Sequence, residues 1–147
     1  MTITGTITES PTSRTDLLRN IIIADAIVTG SAAILLAVAA SPLGSVLGLP
    51  ATLLRFAGVG LIPYAAFLLW VGLRKASSLA LVRLLVTANL LWVVGSVALL
   101  FSSRIDPTAL GVTFILIQAA MVSAFAALQH LNIRSLPHPT ISRKTRR

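Results

Sequence analysis

The sequence predicts an all-α polytopic membrane protein in which four transmembrane helices form an antiparallel bundle. The chain of 147 residues is 56% hydrophobic, and its mean hydropathy is +0.92. Only 11% of its residues are charged, whereas a soluble domain has about 25%. Long apolar segments follow one another along the chain, and a spanning helix needs about 20 such residues. Four helices with short connections use up the chain, so we expect one membrane domain.

The first predicted helix covers about residues 16–40. It follows a tail, residues 1–15, that is rich in Thr and Ser and is expected to be disordered. Pro42 is expected to end the helix. A cleaved signal peptide is the alternative interpretation. Against it, the apolar run is longer than a signal-peptide core and contains the carboxylate of Asp25.

The next segment, residues 41–50, contains two Pro and two Gly and is predicted to be a loop at the membrane interface. The second helix is predicted over about residues 51–73. Pro63 lies in its middle, which a membrane helix tolerates when neighbouring groups satisfy the freed carbonyl.

The third and fourth helices are predicted over about residues 79–101 and 107–130, joined by a short loop. Asp106-Pro107 is expected to start the fourth helix, with Asp as N-cap and Pro at the first helical position. The membrane domain is therefore predicted to cover residues 16–132. A basic C-terminal tail, residues 133–147, follows it.

The distribution of cations predicts the orientation. Only Arg55 and Arg104 fall near helix ends on one side of the predicted bundle. The other side holds Arg14, Arg19, Arg74, Lys75, Arg83, Arg134, Arg143, Lys144, Arg146 and Arg147. Positive charge marks the cytoplasmic side, so both termini are predicted to lie in the cytoplasm, with the chain in the plasma (inner) membrane.

The net charge of +8 does not indicate nucleic acid, because topology and anionic lipid account for it. The expected partners are the lipid bilayer and, at the cytoplasmic face, anionic lipid headgroups. The residues expected to contact those headgroups are Arg143, Lys144, Arg146 and Arg147.

Polar side chains of four predicted helices fall at similar depths. With a rise of about 1.5 Å per residue, they converge on a layer just to the cytoplasmic side of the midplane. The members of this predicted polar cluster are Asp25, Tyr64, Asn89, Gln118 and Ser123. A carboxylate in hydrocarbon is costly, so Asp25 must face the interior of the bundle and find donors there.

Two interpretations of this cluster stay open. The cluster is either a ligand, ion or proton site built on Asp25, or a structural knot that fixes helix register. Arg83 is the candidate charge partner, approaching Asp25 from the cytoplasmic side. The cluster contains a single acid without a second acid or a buried base, which argues against a proton relay.

No enzymatic, cofactor or metal motif is present in the sequence. The chain has no Cys and only two His, and phosphate-binding and nucleophile motifs are absent. We therefore expect no enzyme, no cofactor and no metal. The leading expectation is a small membrane protein of binding or interaction type, accessory or structural, acting as a homodimer or with a membrane-protein partner. The alternative is a small proton-coupled transporter or channel that uses Asp25.

Several stretches resemble a group of small bacterial integral membrane proteins that have four helices and no assigned activity. The resemblance covers about residues 17–129 and implies a bacterial inner-membrane protein. The stretches are SPLGSVLGLP, Leu61-Ile62-Pro63-Tyr64, Ala88-Asn89-Leu90-Leu91-Trp92, and Pro107-Thr108-Ala109-Leu110-Gly111-Val112 followed by Gln118.

Overall fold

The fold is given by a computed structural model that describes residues 11–74 and 78–133. Within these residues the chain forms helices connected by short turns. The helices are α1 (Pro11–Val38), α2 (Ala40–Leu47), α3 (Ala51–Leu73), α4 (Leu79–Leu99) and α5 (Ala109–Asn132). Four of them, α1, α3, α4 and α5, are long and apolar enough to cross a membrane. This confirms the predicted all-helical chain with four candidate spans.

The first helix begins earlier than predicted, although its candidate membrane span, Thr15–Val38, begins close to the predicted start at residue 16. Helix α1 starts at Pro11, not near residue 16, so the end of the tail that was expected to be disordered is helical. Proline is well suited to the first turn of a helix, because its missing N–H would have no intrahelical partner there.

Helix α2 lies in the segment that was predicted to be a loop, and that prediction is wrong. Pro42 falls in the first turn of α2, where it breaks no intrahelical hydrogen bond. Gly48 follows the last residue in the left-handed conformation, with φ 66°, which is a common way to end a helix. The Pro and Gly residues therefore delimit a short helix instead of preventing one.

The end of α2 fixes the start of α5. The N-cap of α5 is Thr108, not Asp106 as predicted, and its Oγ1 accepts a hydrogen bond from the Gly111 N–H at 3.1 Å. The Thr108 N–H donates to the Leu47 carbonyl at 3.0 Å, and its hydroxyl donates to the Val46 carbonyl at 2.9 Å. Helix α5 thus begins where α2 supplies acceptors for the turn before it.

Helices α1 and α3 form the closest pair in the described chain. A Cβ added at Gly58 would lie 2.5 Å from the Ala37 backbone N and 2.8 Å from the Ala33 carbonyl O. At the other end of the pair, the Arg19 Nε donates to the Gly72 carbonyl at 3.1 Å. Small residues thus bring the two backbones into contact, as is common where membrane helices associate. We call this contact the α1–α3 seam.

Helix α4 packs mainly on α5, and α5 also contacts α1. Helices α3 and α4 approach each other less closely in the described residues. Apolar clusters fill the two ends of the bundle, one around Leu18 and Leu85 and the other around Leu54 and Ile115. The space between these clusters contains the polar side chains and a cavity.

Candidate functional site

The Asp25 carboxylate is the centre of a buried hydrogen-bond network. Only 1% of its surface is exposed. Its Oδ1 accepts from the Thr29 hydroxyl at 3.2 Å. Its Oδ2 accepts from Asn89 Nδ2 at 3.0 Å and from Gln129 Nε2 at 2.7 Å. These partners are neutral donors, and such a set matches an ionised carboxylate, which can only accept.

Tyr64 extends the network to α3. Its hydroxyl lies 2.7 Å from Asn89 Oδ1 and 3.4 Å from the Leu85 carbonyl. A hydroxyl has one proton, so the shorter contact is the main hydrogen bond. A chain of donors therefore runs from Tyr64 through Asn89 to Asp25, while Gln129 joins from α5. One carboxylate links all four long helices.

The donors keep the buried carboxylate in place. An uncompensated charged side chain at the centre of a membrane helix costs at least about 2.5–3.5 kcal/mol. Hydrogen bonds between membrane helices contribute about 0.6 kcal/mol on average and at most about 1.7 kcal/mol. The three bonds to Asp25 are therefore of the right size to offset much of that cost.

Gln129 is a member of the network that the sequence did not reveal. It is fully buried, and among the described residues its Oε1 is the buried side-chain polar atom that has no hydrogen-bond partner. It lies near the end of the last predicted helix, away from the layer in which the sequence places the polar cluster. One signal was available: it shares the helical spacing of Ala119 and Ala126, which lie on the buried face of α5, and of Ile133, the buried residue that caps the helix.

The structure brings together some of the predicted cluster but not all of it. Asp25, Tyr64 and Asn89 are connected. Gln118 instead accepts a hydrogen bond from Trp92 Nε1 at 3.0 Å and donates to Ser96 Oγ at 2.9 Å. Ser123 bonds within its own helix, its hydroxyl donating to the Ala119 carbonyl at 2.7 Å. The predicted depth along the helix axis showed which residues lie at a similar height in the bundle. It did not specify the direction in which each side chain points around its helix.

The predicted charge partner does not join the site. Arg83 is exposed, and the hydrogen bonds that Asp25 accepts come from Thr29, Asn89 and Gln129 instead. The tail residues expected to contact anionic lipid, Arg143, Lys144, Arg146 and Arg147, lie outside the described residues.

A cavity of about 390 Å³ adjoins the network, and we call it the central cavity. Its size lies within the range of about 300–1,000 Å³ that is usual for small-molecule sites. Thr29, Tyr64 and Asn89 contribute polar atoms at one end, and Trp92 and Gln118 line it further along. Most of the remaining wall is aliphatic or aromatic: Val28, Ala32, Leu36, Gly60, Leu61, Ala88, Phe114, Ile117, Met121 and Val122.

The polar end of the central cavity favours a ligand that donates hydrogen bonds. The hydroxyl proton of Thr29 points to Asp25 and that of Tyr64 points to Asn89. Their oxygens can therefore accept a further hydrogen bond but have no proton left to donate. Asp25 lies behind them and adds negative charge to this end of the cavity when it is ionised. In the part of the chain that the structure describes, no cluster of His, Cys, Asp and Glu could hold a metal ion.

Comparison with known proteins adds no identity to this geometry. No family model, no curated protein and no solved structure matches the chain. The function is therefore inferred from the site and not from the fold, since one fold can host many functions.

Proposed function

We propose that this chain is a multi-pass membrane protein of binding type, and that its central cavity takes a small, mainly apolar molecule carrying an amine. The observation that carries the proposal is an apolar cavity whose polar end rests on a buried carboxylate held by neutral donors. A ligand with this chemistry would reach the cavity from the bilayer. The cavity contains no nucleophile–base arrangement, and we propose no enzymatic activity.

The preference for an amine follows from charge and hydrogen-bond direction. A protonated amine donates up to three hydrogen bonds and accepts none, which suits the free lone pairs of Thr29 and Tyr64. Its positive charge is attracted by Asp25, and this attraction is strong where water is excluded. An alcohol can donate one hydrogen bond but lacks the charge. A carboxylate would meet acceptors and a like charge.

The test is thermal stability of the purified protein in mild detergent, with octylamine, octanol and octanoate as matched probes. A ligand at 100 times its Kd stabilises the folded state by about 2.7 kcal/mol. We expect octylamine to raise the melting temperature most, octanol less, and octanoate not at all.

Gly60→Leu is the control variant for this test. A Cβ at Gly60 would meet no heavy atom within 4 Å, and Gly60 lines the central cavity. The leucine should therefore fill space without displacing backbone, and the response to octylamine should disappear. Equal responses to all three probes, or an octylamine response that survives Gly60→Leu, would contradict binding in this cavity.

The proposed setting is a bacterial inner membrane, with an antiparallel bundle and both termini in the cytoplasm. The contacts support the helix directions, because the start of α1 meets the end of α3 at Arg19 and Gly72, and the end of α1 meets the start of α3 at Ala37 and Gly58. The cation distribution and the resemblance to small bacterial membrane proteins support the rest.

Cysteine labelling tests the orientation. Single Cys residues at Ser10 and Ser142 should resist an impermeant thiol reagent in intact cells, whereas those at Ser45 and Ser103 should react. Labelling of both termini from outside would contradict the proposed orientation.

The basic tail is proposed to hold anionic lipid headgroups through Arg143, Lys144, Arg146 and Arg147, at about 1 kcal/mol per charge near the surface. A peptide of residues 134–147 should bind anionic vesicles and dissociate as salt is added, and salt-independent binding would contradict this. Association with a second copy or another membrane protein is part of the same proposal.

Proton-coupled transport is the second candidate function. It is favoured by one specific observation, a buried carboxylate whose described partners are all neutral. In proteoliposomes, an amine gradient should then drive proton movement, and Asp25→Asn should abolish this movement while preserving the fold. Amine binding without any coupled proton flux would leave the binding function and exclude this candidate.

A further inference from the structure

A second cavity, which we call the outer cavity, continues the central cavity along the bundle. Its volume is about 480 Å³. The two cavities share Leu36, Trp92, Phe114 and Gln118. On α3 the lining moves from residues 60–64 in the central cavity to residues 53–57 in the outer one. The cavities therefore lie end to end, with the Asp25 network at one end of the pair.

The two cavities differ in chemistry. The central cavity begins at the Thr29, Tyr64 and Asn89 side chains. Beyond the junction, the outer cavity is lined mainly by apolar side chains, among them Leu53 and Leu99. Polarity is thus concentrated at one end of a long and otherwise apolar space.

The junction between the cavities is a fixed pair of side chains. Trp92 on α4 and Gln118 on α5 are hydrogen-bonded at 3.0 Å, and Gln118 is held in turn by Ser96 at 2.9 Å. These bonds satisfy the indole N–H and the Gln118 amide within the protein, so an alkyl chain at the junction leaves no polar group of this pair without its partner. A bulky polar group would have to break them.

We propose that the site takes a single-chain amphiphile, with its amine at the Tyr64–Asn89 end and its alkyl chain extending past Trp92 into the outer cavity. This proposal rests on the proposed function and specifies its ligand. From Asn89 to Leu99 on α4 the distance along the axis is about 15 Å at the rise of an α-helix. A short alkyl chain would end within the central cavity, whereas a longer one would enter the outer cavity.

Gly95 is then the residue that determines the accepted chain length. It lines the outer cavity but not the central one, and a Cβ added there would meet no heavy atom within 4 Å. Because no side chain occupies this position, the outer cavity keeps its width beyond Trp92. A larger residue would narrow it without touching the Asp25 network.

The experiment compares hexylamine and dodecylamine on the full chain in lipid nanodiscs, using wild type, Gly95→Leu and Gly60→Leu. We expect Gly95→Leu to raise the Kd for dodecylamine by at least about tenfold, which corresponds to the lower part of the usual free-energy penalty for overpacking. The Kd for hexylamine should be unaffected by Gly95→Leu, and Gly60→Leu should weaken the binding of both amines.

A second measurement does not depend on the variants. Dodecylamine carrying a photoreactive diazirine at its terminal carbon should label residues of the outer cavity such as Leu53 and Leu99, in competition with unlabelled dodecylamine. A diazirine beside the amine should instead label the central cavity. The outer-cavity label should be lost in Gly95→Leu.

The outcomes separate this inference from the function on which it rests. Suppose that hexylamine binds and that Gly60→Leu abolishes its binding, but that Gly95→Leu leaves the affinity for dodecylamine unchanged and the terminal diazirine labels only lipid-facing positions. The chain-length inference is then wrong, and the binding function stands. If neither amine binds saturably to wild type, both are overturned.

Discussion

Gly58 and Gly60 are two residues apart on α3, yet the first is tightly packed against a neighbouring helix and the second adjoins open space. At Gly58 an added Cβ would lie within 3 Å of backbone atoms of α1, whereas at Gly60 it would meet nothing within 4 Å. The first glycine belongs to the α1–α3 seam, and the second lines the central cavity. One helix therefore presents a closed face that holds the fold together and an open face that is free to hold a ligand.

The two faces are stabilised by different interactions. The seam depends on backbone contact that small residues permit, which gives close van der Waals packing. The open face is spanned instead by the Tyr64 hydroxyl and its hydrogen bond to Asn89. If α3 and α4 packed as tightly as the α1–α3 seam, the central cavity would be lost. The polar network thus bridges α3 and α4 on the open face and forms the polar end of the site.

Enlarging Gly58 should have the largest effect on stability. We expect Gly58→Leu to lower the free energy of unfolding by about 3 kcal/mol, because the new side chain must displace backbone and not merely a flexible side chain. The matched variant Gly60→Leu should be neutral, and Gly60→Ala should be neutral or stabilising by up to about 1 kcal/mol. Unfolding in detergent by heat or by SDS titration measures both. Equal losses at the two positions would remove the distinction between the faces.

Replacing Asp25 should have an intermediate effect that depends on the replacement. Asp25→Leu leaves three donors without an acceptor, which should cost about 2 kcal/mol at the average strength of intramembrane hydrogen bonds. Asp25→Asn should stay close to wild type, because its amide oxygen can accept from Asn89 and Gln129 while its amide nitrogen donates to the Thr29 oxygen. If Asn proved as destabilising as Leu, the charge itself would be needed for the fold.

Removing the Tyr64 hydroxyl should have the smallest effect of the three. Tyr64→Phe deletes one hydrogen bond to Asn89 and should cost about 1 kcal/mol. The ring remains, so the shape of the cavity changes little. Because α3 and α4 are otherwise less closely packed, amide exchange in α4 should increase more than exchange in α1. A uniform increase across all helices would contradict a local role for this bond.

The four spans could be predicted from the sequence, since length and hydropathy are properties of each segment alone. The short helix α2 could not, because Pro42 and Gly48 stop helices in many contexts and here mark the two ends of one. The start of α5 was also missed. Asp106-Pro107 is a good local signal, but the acceptors that fix Thr108 come from α2, a segment distant in sequence.

Only part of the site could be predicted, because contacts between helices depend on more than the properties of each segment alone. The cost of a buried carboxylate identified Asp25 as a residue that needs donors. Depth selected Asn89, which donates to Asp25, and Tyr64, which donates to Asn89 and not to Asp25 itself. Depth says nothing of rotation about the helix axis, so Gln118 and Ser123 were grouped with residues that they do not contact. Gln129 was missed because it lies near the end of the fourth predicted helix and not in the predicted polar layer, although its side chain donates to Asp25.

The most direct measurement is fluorescence of Trp92, which lines both cavities. The chain has two Trp residues, so Trp70→Phe leaves Trp92 as the reporter. A bromoalkyl amine should quench it saturably, the matched bromoalkyl carboxylate should not, and adding Gly60→Leu should abolish the saturable part. Linear quenching that is equal for the two probes and unchanged by Gly60→Leu would show partition into lipid alone and would contradict a binding site at the Asp25 network.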